Sequence, residues 1–172
     1  PITFTTSNAT PAPGQWNGLD FKGTTAASLC DYCVIEYGGA DANNANVRIA
    51  HSTPTIRNST IQHSSGRGIT TTSSAPILEN NTIANNASYG LYLGGNTDAT
   101  KPILTGNTFT ANGSYPLHLE LLNFPTTLSG NTYTTNAIQA IELLGGDTTN
   151  LIPNVTLPYD TLPYVVTTSL NI

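Results

Sequence analysis

The sequence predicts an all-β solenoid, in which short parallel strands wind into stacked coils. Two observations predict it: a short pattern recurs along the chain, and a second apolar column follows each copy at a fixed distance. The clear copies are Pro54-Thr55-Ile56-Arg57-Asn58-Ser59-Thr60-Ile61, residues 76–83, 102–109 and 126–133, with a weaker copy at 150–157 and a divergent one at 28–35. Between equivalent sixth residues (33, 59, 81, 107, 131, 155) the steps are 26, 22, 26, 24 and 24. A period in this range marks a repeat whose units bury their apolar faces only by stacking on one another.

Composition agrees. Only 9% of residues are charged, against the usual quarter, and Thr, Asn, Ser and Gly dominate the polar set. These are poor helix formers, and no window sustains a 3.6-residue period. The net charge of −5 and the lack of a basic run argue against nucleic acid and anionic membranes. No apolar run approaches the roughly 18–20 residues of a membrane-spanning helix, so membrane insertion is not expected. The chain begins at Pro1 and contains no Met, which reads as a processed product or an excerpt of a longer chain. With few Lys and many hydroxyl and amide groups, this composition suits an extracellular or cell-surface protein.

Within each copy a strand runs to a bend and a second strand leaves it. Ile56 points inward and Arg57 outward. Asn58 and its equivalents Tyr32, Asn80, Gly106, Gly130 and Asn154 mark the bend, where Gly and Asn tolerate a left-handed backbone. The following column, Ser59, Asn81, Asn107 and Asn131, is expected to stack as a structural ladder, with amides hydrogen-bonding coil to coil at about 4.8 Å. Ser64, Asn86, Asn112 and Asn136 line the next corner as a second polar column.

The second apolar column lies eight residues after each copy, pairing Ile61 with Ile69, Ile83 with Leu91, Phe109 with Leu117, Tyr133 with Ile141 and Leu157 with Val165. The first copy differs, spanning fourteen residues from Ile35 to Ile49. The gap from this column to the next copy varies from seven to thirteen residues. One tight bend, one fixed corner and one loop of free length describe a three-faced parallel β-helix, right-handed by the chirality of crossover connections. Residues 1–172 read as one domain of about seven coils of roughly 24 residues.

Residues 14–21 (Gly-Gln-Trp-Asn-Gly-Leu-Asp-Phe) and 29–39 (Leu-Cys-Asp-Tyr-Cys-Val-Ile-Glu-Tyr-Gly-Gly) resemble the opening coils of right-handed parallel β-helix modules. Such modules occur in large secreted or surface-displayed bacterial proteins of the pectate-lyase-like superfamily. The resemblance covers essentially the whole chain. For polysaccharide lyases and hydrolases of this fold, it implies a groove on the outer face of one sheet, with clustered Asp for calcium or acid catalysis and Arg or Lys as base.

The outward column beside the second apolar column reads Asp20, Ala50, Thr70, Tyr92, His118 and Glu142, with Glu120 two residues from His118 on the same face. Tyr92, His118, Glu120 and Glu142 form the candidate patch for a glycan or a cation, since imidazole and carboxylates can share a metal. No basic residue is expected in it, so a lyase lacks its base, and a solvated strand face is the plainer reading. No catalytic residue, resident metal or cofactor is assigned.

Cys30 falls in the core column of Ile56 and Cys33 in the ladder column, so both point inward around the bend at Tyr32. Buried reduced thiols are the expected reading; a local disulfide bracing the bend is the alternative.

Both ends read as open strand: Ile2 and Phe4 at the start, and Val165, Leu170 and Ile172 at the close. Stacked coils normally carry caps, and none is visible. The expected partner is therefore a second copy stacked head to tail, or the flanking coils of a longer chain, with extracellular polysaccharide as the alternative. The expected role is a non-catalytic structural module forming filaments or segments of a longer solenoid. The runner-up is a carbohydrate-binding or carbohydrate-cleaving domain.

Overall fold

The computed structural model describes residues 1–23, 28–95, 100–145, 156–158 and 161–168. Its strands, numbered β1 to β18 in chain order, build three parallel sheets. The first sheet holds β1 (Ile2–Phe4), β4 (Cys33–Glu36), β7 (Thr60–Gln62), β10 (Thr82–Ala84), β13 (Thr108–Thr110) and β16 (Thr132–Thr134). The second holds β2 (Leu19–Lys22), β5 (Ala45–Ala50), β8 (Arg67–Thr72), β11 (Leu91–Leu93), β14 (Leu117–Glu120), β17 (Ile141–Leu144) and β18 (Tyr164–Val166). The third holds β3 (Leu29–Asp31), β6 (Thr55–Arg57), β9 (Ile77–Glu79), β12 (Ile103–Thr105) and β15 (Thr127–Ser129). The chain visits the sheets in rotation, so the architecture is the expected parallel β-solenoid. One 3-10 turn, Leu121–Asn123, interrupts the strands.

About five complete three-stranded turns are present among the described residues, not seven. Dividing length by period overcounts, because residues 5–18 carry no strand. Much of the fifth copy, with Asn154, and the terminal Leu170 and Ile172 lie outside the described residues.

Each bend from the third sheet to the first is made by one left-handed residue: Tyr32, Asn58, Asn80, Gly106 and Gly130, with φ of 55°, 50°, 54°, 68° and 65°. The next corner has its own left-handed column, Tyr37, His63, Asn85, Ala111 and Thr135. Ala and Thr do not advertise such a backbone, which costs about 1–2 kcal/mol for an L-residue. The ladders on either side supply the compensation.

In the first ladder the Cys33 N–H donates to Ser59 Oγ (2.9 Å), Ser59 to Asn81 Oδ1 (3.0 Å), Asn81 to Asn107 Oδ1 (3.0 Å) and Asn107 to Asn131 Oδ1 (2.9 Å). The amide nitrogens of Asn81, Asn107 and Asn131 donate to the carbonyls of Ile56, Leu78 and Leu104. Each side chain thus satisfies one donor and one acceptor that the bend turns away from the sheets, in a buried setting where unpaired groups are costly. The second ladder repeats this through Ser64, Asn86, Asn112 and Asn136.

The interior is filled by aligned apolar columns. Phe4, Ile35, Ile61, Ile83, Phe109 and Tyr133 line the first sheet, and Cys30, Ile56, Leu78, Leu104 and Leu128 the third. On the second sheet the register corrects the sequence reading at both ends. Val47 aligns with Ile69, while Ile49 aligns with Thr71. Tyr164 aligns with Ile141, while Val165 falls opposite Glu142. Ile49 and Val47 share a face, so alternation alone does not choose between them.

Cys30 and Cys33 are joined as a disulfide, with Cα atoms 6.2 Å apart. This replaces the expected pair of free thiols: both point inward, as the repeat requires, and the left-handed Tyr32 between them brings their Cα atoms within bridging distance. A four-residue loop of this kind is worth about 2 kcal/mol by chain entropy. Reductant, or the double substitution of both residues by Ala, should lower the denaturation midpoint accordingly. An unchanged midpoint would reduce the pair to ordinary core residues.

Candidate functional site

The outer face of the second sheet gathers aromatic, imidazole, carboxylate and cationic side chains from successive coils. Because the register is parallel and unbroken, residues at one position stack at one strand spacing, about 4.8 Å. The central outward column is Asp20, Arg48, Thr70, Tyr92, His118 and Glu142. Arg48 takes the place that the sequence reading gave to Ala50.

Tyr92 and His118 stack with ring centroids 4.0 Å apart and planes 4° from parallel. On the preceding coil, the Arg67 guanidinium carbon lies 4.0 Å from the Tyr92 centroid. Tyr92 is therefore sandwiched between a cation and an imidazole from the coils on either side. Arg67 also donates to Thr70 Oγ1 at 3.3 Å. Beyond His118, Nδ1 meets Glu142 Oε2 at 2.6 Å. His118 and Glu142 are only 5% and 8% exposed. His118 Nε2 is buried with no hydrogen-bond partner among the described residues.

Tyr89 stands edge-on to both Tyr92 and His118 and stacks on Tyr115. Burial, followed by the nearby Glu142 carboxylate, pushes its pKa up. The Tyr92 hydroxyl bonds to Glu120 Oε1 at 3.3 Å. Burial and then Glu120 raise its pKa, with Arg67 opposing.

A groove of about 350 Å³ opens beside this stack, lined by Asp20, Lys22, Arg48, Arg67, Thr70, Thr72, Tyr92 and Glu120 among others. Three of the chain's five Lys and Arg residues line it, against two carboxylates, on a protein of net charge −5. Arg48 is neutralised, pairing with Asp20 at 3.4 Å and with Asp41. Arg67 and Lys22 take part in no ion pair among the described residues.

The structure places the four patch residues in two tied pairs: His118 with Glu142, and Tyr92 with Glu120. The expectation that no basic residue lies there is overturned by Arg67. Its parity matches Ile69, which reads as inward, yet at the first residue of β8 its guanidinium lies over Tyr92. No sequence period could signal that. No group of three or more His, Cys, Asp and Glu able to hold a metal occurs among the described residues. The ladder residues are buried behind the bends, away from the groove lining. Ile2, Phe4 and Val165 lie on the edge strands β1 and β18.

A family model described as a right-handed beta helix region matches residues 3–157. The chain belongs to that right-handed β-helix family. The match covers nearly all of the solenoid, assigns its handedness, and is consistent with the pectate-lyase-like superfamily. No curated protein and no solved structure matches the chain. Within the β-helix family many activities share one scaffold, so function has to be argued from the groove.

Proposed function

We propose that this β-helix is an extracellular module that binds a carbohydrate polymer along the outer face of its second sheet. The observation that carries the reading is the groove, which is open, polar and lined across successive coils by Lys22, Arg48, Thr70, Tyr92 and Glu120. Such a surface suits an extended hydrophilic ligand better than an apolar small molecule, whose sites are mostly hydrophobic. The position also agrees with the groove implied by the resemblance to polysaccharide-active β-helices.

Binding without cleavage fits the carboxylates. Glu142 is buried and engaged by His118, and Glu120 is engaged by Tyr92. Neither is arranged as a free acid facing a water-activating partner, as an inverting hydrolase requires. The purified chain should bind members of a panel of neutral and acidic polysaccharides without releasing reducing or unsaturated ends. Turnover abolished by Glu142→Gln would make it an enzyme instead, and no binding to any polysaccharide would remove the reading.

A second reading, coil-on-coil stacking with another copy or with flanking coils, draws on the edge strands. Ile2 and Leu29 are 63% and 59% exposed on β1 and β3, each paired on one side among the described residues. Electron microscopy tests it: filaments would support self-stacking, and monodisperse particles of the natural chain would remove it.

A further inference from the structure

The groove contains a cation that the protein holds in place and that forms no ion pair among the described residues. Arg67 lies flat on Tyr92, whose opposite face is covered by His118, whose Nδ1 is in turn held by buried Glu142. Since both faces of Tyr92 are occupied, its ring is no platform for a sugar. Its visible work is on the guanidinium. A stacked Arg gives up little hydration, keeps its planar donor fork, and has less rotamer freedom to lose on binding. Lys22, the other groove cation with no ion pair among the described residues, lies two coils away in register with Thr72, at the opposite end of β8 from Arg67.

We propose that Arg67 is the anion anchor of the groove, taking the carboxylate or sulfate group of an acidic saccharide, and that Tyr92, His118 and Glu142 are positioning residues acting through it. This rests on the carbohydrate-binding reading and narrows its ligand class. The Tyr92–His118–Glu142 line explains why a histidine and a glutamate are buried in this outward column: they fix the ring on which the guanidinium lies. Lys22 supplies a second, looser contact toward the first coil.

The test compares calorimetric binding of three oligosaccharides of equal length: one neutral, one carboxylated and one sulfated. The wild-type chain should favour at least one acidic probe over the neutral one, and that preference should fall as salt rises. Arg67→Ala should weaken the preferred acidic probe about 10- to 100-fold, the range for a hydrogen bond to a charged group, and so abolish its preference over the neutral one. Arg67→Lys should fall between, because it keeps charge and loses the planar stack. Tyr92→Phe, which keeps the ring, should retain the acidic preference; Tyr92→Leu should lose most of it while an unchanged fold is checked by circular dichroism. Equal binding of neutral and acidic probes would overturn the anchor and leave the carbohydrate reading intact. Binding of none would overturn both. Acidic preference lost in Arg67→Ala but kept in a folded Tyr92→Leu variant would overturn the positioning role.

Discussion

Asn107→Ala should cost about 2–6 kcal/mol of folding stability, from the penalty of about 1–3 kcal/mol for each buried polar group left unsatisfied. Asn107 is fully buried. Its Oδ1 accepts from the Asn81 backbone N–H and Nδ2, both at 3.0 Å, and its Nδ2 donates to the Leu78 carbonyl and to Asn131 Oδ1. Truncation strands the Asn81 N–H and the Leu78 carbonyl, which the bend has turned away from any strand partner. The Asn131 carboxamide keeps the Asn107 N–H, and Asn81 Nδ2 keeps the Ile56 carbonyl, so the damage is those two backbone groups. With native stabilities of roughly 5–15 kcal/mol, such a loss is visible directly in the urea midpoint. Asn107→Asp separates hydrogen bonding from volume: it keeps the size and both acceptor contacts but removes the Nδ2 donors, and should also be strongly destabilising. A cost below about 1 kcal/mol for Asn107→Ala would mean the ladder is an ornament of the bend rather than its support.

Phe109→Ala should cost about 3–5 kcal/mol, the range for emptying a buried aromatic site. Phe109 is fully buried and stacks on Tyr133, with centroids 5.7 Å apart. It occupies the column that Ile83 and Ile61 fill one and two coils earlier. The site is tightly filled: a Cβ at Gly90 would come within 2.9 Å of Phe109 Cδ1 and 2.7 Å of the Pro116 carbonyl oxygen, as one at Gly68 would meet Ile83 a coil earlier. Stacked coils cannot collapse sideways into the void, because both neighbours are locked by strand pairing to β10 and β16. Thermal denaturation of Phe109→Ala and Phe109→Leu measures the effect. The Leu variant should recover part of the loss, and equal midpoints for wild type and the Ala variant would refute the packing argument.

The repeat was legible because its constraints are local and fall at fixed offsets. A bend needs Gly or Asn, the residue after it needs an amide, and the strands beside it need alternating Ile and Leu. Asn58, Asn81 and Leu78 carry these marks wherever the coil places them. The second sheet was less legible. β5 contains two inward apolar residues, Val47 and Ile49, after a lengthened connection, and either satisfies the alternation. Choosing the wrong one hid Arg48 from the outward column. Arg67 was hidden for another reason: it sits where strand meets corner, and its partner Tyr92 is 25 residues away in sequence.

The sequence by itself therefore determined the coil: its period, its bends, its inward columns and the residues able to form ladders. Those follow from backbone sterics and hydrophobic alternation, which act within a few residues. Only the tertiary structure decided the count of turns, the Cys30–Cys33 bond and the face on which charge gathers. These depend on which coil lies over which, and pairing across about 25 residues is set by register rather than by any local preference. That register turns scattered Lys22, Arg48, Arg67, Tyr92, His118 and Glu142 into one face with one groove.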